Sequence, residues 1–85
     1  MKLKDDFIVY NSGNEQMLIS VGGAFNGMIK LNSSAGYIVE LLKTDVEYQD
    51  IVEAVFFKYD ADRDVIENDV NVVISQLKQI GALSE

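Results

Sequence analysis

The 85-residue chain has no cysteine, histidine, proline or tryptophan. Without cysteine it can form neither a disulfide nor a thiolate metal site, which also fits a reducing compartment. With histidine missing too, no Ser-His or Cys-His nucleophile pair can be assembled. Carboxylates could still pair, but they fall on predicted helix surfaces and in one acidic turn, where a solvated face is the simpler reading. No catalytic residue, metal or cofactor is therefore expected. No apolar run approaches the roughly 18 residues of a membrane span. The opening "MKLKDDFIVYN" has a basic start but neither an apolar core segment nor a cleavage site, as a secretory signal would. The expectation is a cytoplasmic protein with no membrane partner.

Basic residues are scarce as well. Seven stand against 14 acids, for a net charge of −7, and the imbalance is one-sided. Up to Lys43 the chain is neutral, with Lys2, Lys4, Lys30 and Lys43 against Asp5, Asp6, Glu15 and Glu40. From Thr44 onward only Lys58, Arg63 and Lys78 oppose ten acids, so a polyanion is a poor partner for that half. With 48% hydrophobic and 25% charged residues, the composition is that of a folded domain. The length allows one modest core, so residues 1–85 are read as a single domain.

Two periods divide the chain. "FIVYN" (Phe7 to Asn11) and "QMLISV" (Gln16 to Val21) are strand-like arms joined by the turn signal "NSGN". The glycines of "GGAFNG" (22–27) then predict a second turn, and Met28 to Leu31 a third strand, completing an antiparallel meander. At Asn32 the period lengthens. Asn32, Ser33 or Ser34 can cap a helix carrying Ile38, Leu41 and Leu42 inward. A second helix from about Glu47 to Tyr59 aligns Ile51, Val55, Phe56 and Tyr59. Asp64 and Glu67 have capping-box spacing for a third, whose inward residues are Ile66, Val70, Val73, Ile74, Leu77 and Ile80. Gly81 stops it, and Ala82 and Leu83 fold back. The expected class is α+β, winged-helix-like, with a three-stranded antiparallel sheet followed by three helices, βββααα.

Three motifs fall short. Asp60, Asp62 and Asp64 match the start of a calcium loop, but Val65 and Asn71 occupy the positions of its glycine and bidentate glutamate. "GGAFNG" has the glycine spacing of a phosphate loop without the Lys and Ser or Thr that should follow. A winged helix suggests DNA, yet Asp64, Glu67 and Asp69 leave the third helix net negative, the wrong sign for phosphates.

What remains is a surplus of apolar groups and an open edge. Val65 and Val72 lie on the third helix beside its core stripe, with Asp69 and Gln76 at matching spacing. In a meander the first and third strands are both edges. The third has only Lys30 to blunt it. An open edge beside a half-apolar helix is a groove suited to an extended peptide that adds as a further strand.

The stretch "MIKLNSSAGYIVELL", the helix "IVEAVFFKYD" and the closing "DVNVVISQLKQIGAL" resemble the PqqD family and the related recognition domains of ribosomally made, modified peptides. The resemblance runs from about Phe7 to Leu83. It implies a non-catalytic domain that binds the leader of a precursor peptide between the third strand and third helix. Such a domain hands the leader to a modifying enzyme, such as a radical-SAM protein or a leader peptidase and cyclase. Carried over by position, the peptide-binding residues are Met28, Ile29, Lys30, Leu31, Val65, Asp69, Val72 and Gln76. The competing readings are a transcriptional winged helix and a self-associating domain, a homodimer through an edge strand.

Overall fold

The computed structural model describes residues 1–21 and 27–84, so the turn predicted at 22–27 lies, apart from Gly27, outside the described residues. The elements follow in the order β1 (Lys2–Leu3), β2 (Phe7–Ser12), β3 (Glu15–Ser20), β4 (Met28–Leu31), α1 (Ser33–Leu41), α2 (Tyr48–Lys58), α3 (Arg63–Gln79) and β5 (Leu83–Ser84). Strands β2, β3 and β4 form the expected antiparallel meander in that spatial order. It is an α+β fold.

The hairpin between β2 and β3 closes through two residues, with Gly13 at φ +60°. Glycine at the first position of such a loop gives the twist that the flanking strands need. The register stacks Val9, Leu18 and Ile29 across the sheet in one row and Ile8, Ile19 and Met28 in the next. Alternation therefore sends Phe7, Val9, Leu18, Ile29 and Leu31 toward the helices and Ile8, Tyr10, Met17, Ile19, Met28 and Lys30 to the outer face.

The helices bury one stripe each. Ile38, Val39 and Leu42 from the α1 segment, Ile51, Val52 and Val55 from α2, and Ile66, Val70, Ile74 and Leu77 from α3 meet Leu18 and Phe7 in one core. Asn32 caps α1 as expected, its Oδ1 accepting from the Ala35 N–H at 2.8 Å. Gly81, at φ +74°, ends α3, and the Ala82 N–H reaches back to the Leu77 carbonyl at 2.8 Å.

Three local expectations need correction. The reciprocal cap expected at Asp64 and Glu67 is instead at α2, where the Glu47 N–H donates to Asp50 Oδ2 at 3.1 Å. Helix α3 starts two residues earlier, with Asp62 at the N-cap position, and Glu67 pairs with Arg63. Phe56 is 40% exposed: the inward residues of α2 are Ile51, Val52 and Val55, and the Arg63 guanidinium lies over the Phe56 ring. Val73 and Ile80, expected in the core, are only half-buried.

One element went unforeseen. Strands β1 and β5 pair Lys2 with Ser84 and Leu3 with Leu83 in a separate ribbon. Leu3 also donates its N–H to the Leu42 carbonyl, and Lys4 to that of Ala82, each at 2.8 Å. Two-residue strands have no readable period. Among the described residues no helix is long and apolar enough to cross a membrane.

Candidate functional site

Strand β4 has one hydrogen-bonded side and one free side. Among the described residues it pairs with β3 alone. The Ser20 N–H donates to the Gly27 carbonyl at 3.3 Å, which fixes the phase of the ladder. Antiparallel pairs alternate between bonded and non-bonded, so from Ser20 and Gly27 the bonded pairs continue as Leu18 with Ile29 and Gln16 with Leu31. The intervening residues, Met28 and Lys30, therefore aim their N–H and C=O groups away from the sheet. These groups are available to a further strand.

Across from that edge stands α3. Its residues Asp69, Val72, Val73, Gln76 and Ile80 recur at helical spacing and line one wall of an open groove of about 590 Å³. Ile29, Lys30 and Leu31 form the opposite wall, and the buried Leu18 and Leu77 lie at the bottom. Asn32, Ser34 and Ala35, where β4 passes into α1, also line it. The walls are thus apolar below and polar at the rim.

Charge in the groove is sparse. Among the described residues Lys30 and Asp69 are the charged ones lining it. Lys30 has its ammonium 3.5 Å from Glu15, which shares the outer face of the sheet, so it offers the groove mainly its backbone. A further ionic contact lies outside the groove: Arg63 hydrogen-bonds Glu53 and pairs with Glu67. That hydrogen bond, with the guanidinium's charge, holds the Glu53 carboxyl below its ordinary range. The groove supplies backbone donors and acceptors, the side-chain amides of Asn32, Gln76 and Gln79, a hydroxyl, one carboxylate and an apolar bottom. Such groups bind and orient a chain.

The sequence profile of the family described as "Coenzyme PQQ synthesis protein D (PqqD)" matches residues 8–83. The chain belongs to the PqqD family. Solved structures similar to this PqqD-family chain include TbiB1 in complex with the TbiA(β) leader peptide, at TM-score 0.78 and 23% identity, covering 99% of this chain and 100% of that one. A lasso peptide synthetase B1 complexed with its leader peptide gives TM-score 0.79 at 21% identity, with 99% and 96% covered. At these identities the likeness shows the shared fold. Among curated proteins none matches the chain.

Of the residues read from the sequence, this PqqD-family fold brings Ile29, Lys30, Leu31, Asp69, Val72 and Gln76 together around the groove. Met28 and Val65 lie outside it. Met28 is 62% exposed, its side chain on the outer face, although its backbone edge faces outward beside that of Lys30. Val65, in the first turn of α3, precedes the stretch that lines the groove. Sequence reasoning missed Val73, Leu77 and Ile80, which it assigned wholly to the core. The signal for their double role was the width of the apolar stripe on α3.

Proposed function

We propose that this PqqD-family domain is a non-catalytic adaptor. It binds the leader of a ribosomally made precursor peptide as a strand added to β4 and presents it to a modifying enzyme, a radical-SAM protein or a leader peptidase and cyclase. The observation that carries the reading is the free edge of β4 facing α3 across an apolar-bottomed groove. Membership of the PqqD family and two fold relatives solved with leader peptides support it. The domain works in the cytoplasm, where precursor peptides are made.

The energetics are adequate. Met28 and Lys30 offer two N–H and two C=O groups, each hydrogen bond contributing about 0.5–1.5 kcal/mol net. Two apolar side chains entering between β4 and α3 add about 1.5–3 kcal/mol each if fully buried. Association and ordering costs of about 4–15 kcal/mol are set against these gains. The gains total about 5–12 kcal/mol, so the favourable end of the balance is about −8 kcal/mol, a Kd near micromolar.

The test is a titration of the domain with the synthetic leader of a precursor encoded beside it, followed by amide chemical shifts. Shifts are expected at Met28–Leu31 and along Asp69–Ile80. Shifts confined to α2 would defeat the reading. The same open edge also favours self-pairing into a dimer, which would appear as concentration-dependent sedimentation and as competition between dimer and leader.

A further inference from the structure

A second cavity, of about 430 Å³, opens where the groove runs past Asp69. Asn32, Ser34 and Asp69 line both cavities. Along α3 the order is unambiguous: Ile66 and Asp69 line the second, while Asp69 through Ile80 line the first. The two form one trench, and the second lies beyond the end of β4, where no backbone edge remains to pair with.

Its chemistry differs from that of the groove. Val55 and Ile66, both buried, form an apolar floor. Asp60 and Asp69, both exposed, stand at the mouth, and Tyr59 lines it with its ring edge-to-face against Tyr37. Among the described residues no lysine or arginine lines it. The cations closest in sequence are already engaged, with Lys58 Nζ 4.6 Å from the Tyr37 ring centre and Arg63 held by Glu53 and Glu67. An apolar floor under a carboxylate rim fits a side chain with an aliphatic stem and a cationic head, and an aromatic ring adds a further cation contact.

We infer that the peptide bound along β4 carries a lysine or arginine just beyond its paired segment, and that this side chain enters the second cavity and pairs with Asp60 and Asp69. The inference rests on the leader-binding reading and adds a specificity to it. One competing role for the carboxylates is internal: α1 begins at this cavity with no acid in its first turn, and nearby carboxylates complement the positive end of a helix.

The test is panning of a random displayed-peptide library on the immobilised wild-type domain, Asp60→Asn and Asp60→Asn/Asp69→Asn, with thermal melts of each. Wild type should enrich peptides with alternating apolar residues and a lysine or arginine at one fixed flanking position. That position should weaken in Asp60→Asn and lose its preference in the double variant. For the best peptide, replacing the basic residue by norleucine should weaken binding to wild type roughly two- to fivefold, the range of an accessible ion pair. The difference should shrink at high salt. Apolar peptides without a basic position would overturn the inference and leave the groove reading standing. A basic preference that survives in the double variant would also overturn it, and a lowered melting temperature there would assign the carboxylates to α1. If no extended apolar pattern is enriched, both readings fall.

Discussion

Lys30→Pro is the sharpest perturbation of the proposed site, because it removes one outward N–H and little else. The ladder phase set by Ser20 and Gly27 puts the Lys30 N–H on the free side of β4, so no hydrogen bond to β3 is lost. Proline is tolerated in a strand where its missing N–H faces away from the sheet, and it constrains the preceding Ile29 to the extended region it already occupies. Only the contact between Lys30 and Glu15 is forfeited on the domain side, an exposed ion pair of small value. The incoming peptide suffers more. One of its carbonyls loses a donor while facing a ring, at a cost of about 1–3 kcal/mol for an unsatisfied buried acceptor. That is roughly a five- to 150-fold rise in Kd.

Fluorescence anisotropy with a labelled leader reads this directly, and a thermal melt confirms the fold. The matched control is Asn11→Pro at the opposite edge. Bonded pairs on that side are Ile8 with Ile19 and Tyr10 with Met17, so the Asn11 N–H also points outward. Asn11→Pro should leave the Kd unchanged. Equal affinity of Lys30→Pro and wild type, or equal weakening by both substitutions, would refute strand addition at β4.

Val72→Asp puts a carboxylate on the α3 wall at a position 48% exposed. It should weaken leader binding by about 1–2 kcal/mol through lost apolar burial, with a melt within about 0.5 kcal/mol of wild type. Asn32→Ala deletes the acceptor of the Ala35 N–H; denaturant unfolding should show a loss of about 0.5–2 kcal/mol, largely restored by Asn32→Asp. A Cβ at Gly36 would lie 1.9 Å from Gln16 Oε1, the mobile end of a side chain. Gly36→Ala should therefore stabilise by about 0.5–1 kcal/mol in a Gln16→Ala background and by less in wild type, a coupling that a double-mutant cycle measures. Arg63 holds the Glu53 carboxyl below its ordinary value of 4.5, so the folded state binds that proton less tightly than the unfolded one. The pair's contribution is complete above that value and lost as pH falls through the lower folded one. Glu53→Gln should lower the melting temperature slightly at neutral pH, and the gap should close in acid.

Much of this architecture was legible because hydrophobic period and turn chemistry agreed. Gly13 inside "NSGN", Asn32 before the first helix and Gly81 after the last each sit where a specific backbone geometry needs them. The groove was legible in part. The free edge of β4 followed from strand order, and Val72, Asp69 and Gln76 from helical spacing. What periodicity could not supply was distance. Val65 and Val72 share a face, but β4 faces only the later turns of α3, so Val65 is left outside. Nor could the sequence say which N–H groups of β4 point outward, since one hydrogen bond at the head of the strand decides it. Val73 and Ile80 read as core because wall and core are the same stripe at different depths.

Among the described residues the edge of β4 stays free, and the other strand-forming segments pair elsewhere. The first strand, Lys2–Leu3, could lie along β2 or β4, yet it pairs with Leu83–Ser84 and is further tied through Leu3 to Leu42 and Lys4 to Ala82. That ribbon buries Leu3 and Leu83 in the core and draws both flanking segments to the carboxyl end of α1. The free side of β4 meets α3 instead, and a helix has already used its backbone groups within itself and cannot complete a sheet. It can only supply side chains opposite the edge. An extended chain is the one element that satisfies both boundaries at once, giving backbone bonds to Met28 and Lys30 on one side and side-chain burial against Val72, Val73 and Ile80 on the other. The β1–β5 ribbon thus supports the fold that holds the groove while none of its residues lines it. Weakening it, as Leu83→Ala would by about 2–5 kcal/mol, should reduce leader binding only in proportion to the unfolded fraction, so that titrations run well below the melting temperature return the wild-type Kd.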